Sequence, residues 1–355
     1  MTAHRLAAIG GSILFALAWQ ASAQTAEPAL RIPLIVGLTT IRAVAESQGD
    51  YESIRTYQSV TKDDYRISLR AEIPDPAGGE PKLVEVLRRV PVADMRNARV
   101  TRNYYHTDDP EVFAGTSPDV STAVLNDLRT SGSAAMTYLD VRMLFIMPMI
   151  RTLKGSVTRV GAGPEPFSIL VNGRRVQLPV LHAKGRLSDD QGGFDVEFQV
   201  LNDPDNPLLL SFSGRDIKSR MTRIEFPVAA GSANSIERKL EDKEPVDVYG
   251  IYFAFGSATL RPESDRVLKE VADLLAKHRD WKLQVDGHTD NIGGDAANLD
   301  LSRRRAAAVK AALVQRFAIA APRLETGGYG ERRPKDRNDT IEGRALNRRV
   351  ELRRL

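Results

Sequence analysis

The stretch at residues 287–306, GHTDNIGGDAANLDLSRRRA, places an aspartate and a run of guanidinium groups on either side of a loop with two adjacent glycines. Just upstream, WKLQVDG at residues 281–287 reads as a buried strand, and Asp290 sits where that strand ends. Downstream, residues 299–317 put Ala306, Val309, Leu313 and Phe317 on one stripe, the spacing of a packed helix. The stretch is therefore a strand, a loop and a helix. Gly293 and Gly294 let the loop turn sharply and approach a ligand closely.

The elements around it extend the pattern. Residues 246–255 (VDVYGIYFAF) predict a strand, and Pro262 suits the first turn of a helix. Val267, Leu268, Val271, Leu274 and Leu275 then share one helical face. Residues 323–328 and 348–352 supply two more strands. The order β-α-β-α-β-β predicts an α+β sandwich, with two helices packed on one face of a small mixed sheet.

Successive residues on a helix are rotated by about 100°, so Arg303, Arg304 and Arg305 point three ways. Arg305 lies four residues after Leu301, four before Val309 and next to Ala306, which holds it near the packed face. Arg303 and Arg304 are expected in solvent. The helix is predicted to open at residues 298–302, where its unsatisfied amides favour anions. An acid and a guanidinium lining one pocket suit a zwitterion, since arginine grips a carboxylate and aspartate accepts from an ammonium group. The same spacing also suits a salt bridge between Asp290 and Arg305 at the start of the helix. The residues alone leave both readings open.

Taken together, IYFAFGSATLRPES (251–264), VDGHTDNIGGDAANLDLSRRRAAAV (285–309), LETGGYGERRP (324–334) and NDTIEGRALNRRVEL (338–352) resemble an OmpA-like domain. That family is the peptidoglycan-binding module also found in peptidoglycan-associated lipoproteins and flagellar stator proteins. The resemblance implies the family's ligand, the diaminopimelate of the Gram-negative stem peptide, which carries a free amine and a free carboxylate on one carbon. It maps the family's aspartate to Asp290 and its arginine to Arg305. It also places Thr289, Asn298, Arg348 and Arg349 where they shape or line the pocket. One departure stands out. The family's F-D-F-D at the end of the first strand is here Phe253-Ala254-Phe255-Gly256, with both acids missing.

The rest of the chain fixes the setting. Residues 1–23 have a short polar start, an apolar stretch from Leu6 to Trp19 and an Ala21-Ser22-Ala23 site, the layout of a secretory signal peptide. Residues 24–229 alternate apolar and polar in short runs such as FDVEFQV (194–200), so a β-rich periplasmic domain of unknown role is expected there. Turns are expected at Pro74, 78–79, 161–163, 192–193 and 204–207, and one helix from Ser121 to Tyr138. The apolar run at 143–150 is expected to be core. Residues 230–245 read as a linker or short connecting helix, followed by the OmpA-like domain at 246–355.

The chain of 355 residues has no cysteine, so neither a disulfide nor a lipid-bearing cysteine is available. A net charge of +4 without a basic stripe gives no reason to expect nucleic acid. No nucleophile elbow or P-loop is present, and His4, His106, His182, His278 and His288 show no metal-ligand spacing. The expectation is a non-enzymatic protein without cofactor or metal. It would bind peptidoglycan in the periplasm, associated with the cell wall and placed near the outer membrane and other envelope proteins. The alternative is an outer-membrane β-barrel tethered to the wall by the same domain.

Overall fold

The computed structural model describes residues 31–355, apart from residues 48, 76, 78, 103–114, 117–118, 145–146 and 228–232; it leaves out the side chains at 141–149 and 233–235. The expected signal peptide lies outside the described residues. So do His106 and the side chains of the apolar run at 143–150, except that of Ile150, which is exposed.

Eleven strands between residues 39 and 225 form one sheet. They are β1 (Thr39–Glu46), β2 (Gly49–Val60), β3 (Asp64–Ile73), β4 (Lys82–Pro91), β5 (Val100–Arg102) and β6 (Ser133–Leu144), then β7 (Met147–Val171), β8 (Arg174–Asp189), β9 (Gly192–Leu201), β10 (Leu209–Gly214) and β11 (Ile217–Glu225). Their spatial order is β4-β3-β2-β1-β11-β10-β9-β8-β7-β6-β5. Neighbours run antiparallel except β5 and β6.

The end of β7 also pairs in parallel with β11, Leu170 with Arg223 and Val171 with Ile224. The pairings β7-β8-β9-β10-β11 thus return to β7. This closure depends on a bend that the sequence reading took for a turn. The Gly161-Ala162-Gly163 segment lies inside β7, and its pairing with β8 shifts register between Val160 and Glu165. Gly161 takes φ 78°, which a glycine adopts without steric cost, so the strand kinks and continues.

Among the described residues two helices sit among these strands, α1 (Val92–Asn97) and α2 (Thr122–Thr130). Ser121 caps α2 by accepting from the Val124 amide at 3.2 Å. The helix ends well before Tyr138. Gly132 takes φ 73°, and the amides of Ser131 and Gly132 both donate to the Asp127 carbonyl. Beyond it Ala134, Met136 and Tyr138 are buried at every second position, so the segment is strand β6.

The C-terminal region comprises α3 (Ala233–Glu241), β12 (Val246–Val248), α4 (Asp265–Lys277), β13 (Leu283–Gly287), α5 (Asp295–Phe317), β14 (Leu324–Gly328), α6 (Ile341–Asn347) and β15 (Val350–Arg354). Its sheet has the order β12-β15-β13-β14 and is mixed, with β13 parallel to β14 and antiparallel to β15. Leu268, Val271 and Leu275 of α4 and Val309 and Leu313 of α5 join Leu283, Val285 and Leu352 in one core. This is the expected layout of two helices on a small mixed sheet.

Two details differ from the sequence reading. The first strand stops at Val248, and Phe253 instead makes an isolated bridge to Leu260. A short helix α6, capped by Thr340, precedes the last strand. Residues 230–245, read as a linker or short connecting helix, hold the short helix α3, which buries Leu240 in the C-terminal core.

The two sheets are joined by charge and by packing. Tyr252 is buried against Ile41 and Ile54 of the large sheet. Arg344 bonds Asp50, Arg220 bonds Glu342 at 2.7 Å, and Arg266 bonds Glu225 at 3.0 Å. Among the described residues, no helix is long and apolar enough to cross a membrane.

Candidate functional site

Asp290 is fixed by its own backbone. Beyond β13 the Thr289 amide donates to the Gly330 carbonyl at 3.0 Å, and Asn298 Nδ2 donates to the Asp290 carbonyl at 3.1 Å. The Asp290 carboxylate accepts from the Ile292 amide at 3.1 Å and from Arg348 Nη1 at 2.6 Å. The aspartate therefore pairs with Arg348 from the turn before β15, and no ion pair links it to Arg305. The following loop needs its glycines: Gly293 and Gly294 take φ 103° and 92°.

Helix α5 begins at Asp295, one turn before the expected opening. Its free amides lie beside Asp295, whose carboxylate is held by Arg332 at 2.7 Å and well below the usual carboxylate range by that bond. Asp295 thus stands in the first turn of the helix, and Arg305 lies well inside it. Arg303 and Arg304 are exposed, as their rotation predicted, and Arg304 pairs with Asp300 on its own helix.

Arg305 is half-buried. Its Nε donates to the Ser257 carbonyl at 2.9 Å, and its guanidinium lies 4.9 Å from the centre of the Phe253 ring. Burial, and after it the charge of Arg348, pushes its pKa down to about 10; Asp290 and Glu52 act in the opposite direction. The guanidinium stays charged at neutral pH. It forms no ion pair among the described residues. An anion reaching it would meet a held, partly dehydrated cation, where charge-assisted bonds are strongest.

The loop that lacks the family's acids is anchored from outside the domain. Glu72 of β3 accepts from the Phe255 amide at 2.6 Å and from Arg261 Nη2 at 2.9 Å. An acid from the large sheet thus bonds the backbone of the segment where Ala254 and Gly256 stand. No signal in the sequence could have found it, because Glu72 and Phe255 are 183 positions apart.

The remaining expected site residues divide into two groups. Asn298 bonds the Asp290 carbonyl and Glu331, and so positions the strand end. Thr289 is buried, and its Oγ1 has no hydrogen-bond partner among the described residues. Arg349 is directed elsewhere. Its Nε bonds Asp247 at 2.8 Å, and its Nη atoms reach the Arg333 carbonyl and Glu351. Adjacent residues entering a strand face opposite sides, so Arg348 can reach Asp290 only if Arg349 turns away.

His288 lies on the Arg349 side and stacks on Tyr329 with ring centres 5.4 Å apart. Burial first, and then Arg349, pushes its pKa down to about 3 from 6.5. The ring is neutral at working pH, and neither of its nitrogens makes a hydrogen bond to Asp290. Its folded value lies below the unfolded one, so protonation favours the unfolded chain. The stability present above pH 6.5 should fall as pH drops toward 3. His288→Leu should flatten part of that slope between pH 7 and 5. Equal slopes of thermal midpoint against pH for the two proteins would show that the ring is not the titrating group.

Glu237, Glu241 and His278 each place one ligand atom within 4.8 Å of the others, a grouping the sequence spacing did not show. Glu237 is shared there by Lys277 at 2.6 Å and by His278, which makes the cluster an ion-pair knot between α3 and the end of α4.

Comparisons with known proteins cover the same C-terminal region. Residues 252–348 match the OmpA family. Over 101 residues the chain is 42% identical to outer membrane porin F of Pseudomonas aeruginosa, spanning 28% of this chain and 29% of that protein. It is 41% identical over 107 residues to a peptidoglycan-binding protein of Mycobacterium bovis, spanning 30% and 32% of the two. A solved cell wall anchor of the type VI secretion system of Pseudomonas aeruginosa is 34% identical, with a TM-score of 0.27, over 30% of this chain and 76% of that one. The chain thus spans about a third of the two curated relatives named.

Proposed function

Residues 252–348 belong to the OmpA family, and on that premise we propose that the chain binds peptidoglycan noncovalently and performs no catalysis on it. The ligand is the diaminopimelate of the stem peptide. Arg305 takes its carboxylate, and Asp290, shared with Arg348, takes its amine. The observation that supports this reading is that, among the described residues, Arg305 forms no ion pair and Asp290 pairs with Arg348 instead. A site built for a structural salt bridge would have joined Asp290 to Arg305. The similarity to a peptidoglycan-binding protein of Mycobacterium bovis covers the same region. The protein is placed in the periplasm against the wall, where the ion pairs between the two sheets would fix the β-rich region to the same anchor.

Sedimentation of the purified chain with sacculi tests this. Diaminopimelate-type sacculi should pull the chain down, and free meso-diaminopimelate should release it. Sacculi with lysine in the stem peptide lack the second carboxylate and should retain little. Equal retention by both types would refute diaminopimelate recognition. Release of soluble wall fragments during incubation would refute the absence of catalysis.

A further inference from the structure

The eleven-stranded sheet folds over a cavity of about 790 Å³, far larger than the few water-sized voids a packed domain tolerates. One wall is built by strand register. Leu69 and Ala71 of β3 pair across to Val86 and Val84 of β4, and Ile73 pairs with Lys82, so the row is apolar inside and charged at its end. On the facing wall stand Met136, Tyr138, Leu187, Val196, Phe198 and Phe212. Tyr138 stacks on Phe212 and meets Phe194 edge-on, which holds the aromatic part of that wall rigid.

Two of the buried arginines in the lining are bound into the walls. Arg55 pairs with Asp119, and Arg42 donates to Ser219 Oγ and the Leu209 carbonyl. Toward the outside the lining changes to Glu46, Ser47, Glu80, Lys82 and Asp216, charged groups of both signs and one hydroxyl. The volume falls in the range of small-molecule sites, with few polar groups inside and a polar mouth.

We propose that this cavity binds the acyl chain of an amphiphilic lipid, with the chain between the two walls and the head group at the charged mouth. Each methylene leaving water for such walls adds to affinity. The shared chemistry is a long saturated or monounsaturated chain. Its source is a free fatty acid or a phospholipid. The site is independent of the proposed wall anchor, and its test does not involve peptidoglycan.

The experiment titrates the purified full chain with a fatty acid carrying a dansyl group at its chain end, and in parallel with vesicles of self-quenched fluorescent phospholipid. Saturable binding of about one chain per protein is expected in at least one arm, and the responding arm identifies the source. Val84→Trp and Val86→Trp fill the cavity from the edge strand and should weaken binding at least tenfold. Leu87→Trp, on the exposed face of the same strand, should bind as the parent does. The circular dichroism spectra of all three variants should match the parent. Absence of saturable binding in both arms overturns the proposal, as does undiminished binding by both folded valine variants. If both valine variants misfold, competition by unlabelled fatty acids of graded length on the parent decides. Affinity rising with chain length supports the proposal, and affinity independent of length overturns it.

Discussion

Arg305→Ala should lower the affinity of the chain for diaminopimelate-type sacculi by about tenfold to a hundredfold, because a charge-assisted hydrogen bond contributes about 1.5–3 kcal/mol. The guanidinium is held by the Ser257 carbonyl and the Phe253 ring, so its position does not have to be organised when a ligand arrives. Arg305→Lys keeps the charge and loses the planar fork, and should fall between parent and alanine variant. Arg304→Ala removes an exposed arginine paired only along its own helix and should change nothing. Asp290→Asn should also weaken binding, but it additionally strands the partly buried Arg348. Its loss would therefore mix recognition with stability, whereas the arginine series separates them. Sacculus binding by Arg305→Ala equal to that of the parent would remove Arg305 from the site. A matching fall in thermal midpoint would reassign it to holding the loop.

Residues 281–317 revealed strand, loop and helix because their apolar positions follow the period of each element and the glycines mark the turn. The same periodicity identified Arg305 as the held arginine among three neighbours. Partnership was not legible. That Asp290 would pair with Arg348 depends on where β15 enters the sheet, 58 positions away. That Glu72 would bond the Phe255 amide depends on how two sheets meet. Local pattern carries information over one or two turns of chain, and these contacts are tertiary. In the large sheet, alternation identified strands but not their continuity. Gly161 and Gly163 look like a turn on composition, and only the pairing on both sides shows one bent strand. The helix predicted through Tyr138 failed for a related reason. Small residues at 131–135 fit either period, and the positive φ at Gly132 decides between them.

Gly287→Ala should destabilise the protein by about 1–3 kcal/mol, the usual effect of overpacking a tight interior, and weaken sacculus binding as well. A Cβ at Gly287 would stand 2.2 Å from the Ser302 carbonyl oxygen. That oxygen belongs to the backbone of α5, so no side-chain rotation relieves the clash and strand and helix must move apart. Gly287 closes β13, three residues before Asp290, and Ser302 lies three residues before Arg305. The glycine therefore sets the spacing between the strand that carries the acid and the helix that carries the guanidinium. Ser302 also accepts from the Gly330 amide at 2.9 Å, so a shift of the helix reaches the backbone that pairs with Thr289. Gly163→Ala has open space around its Cβ and should leave stability within about 0.5 kcal/mol of the parent. Urea unfolding of the two variants measures the contrast, and sedimentation with sacculi measures the coupled effect. A Gly287→Ala protein with parental stability and parental binding would mean that the strand–helix contact does not fix the geometry of the site.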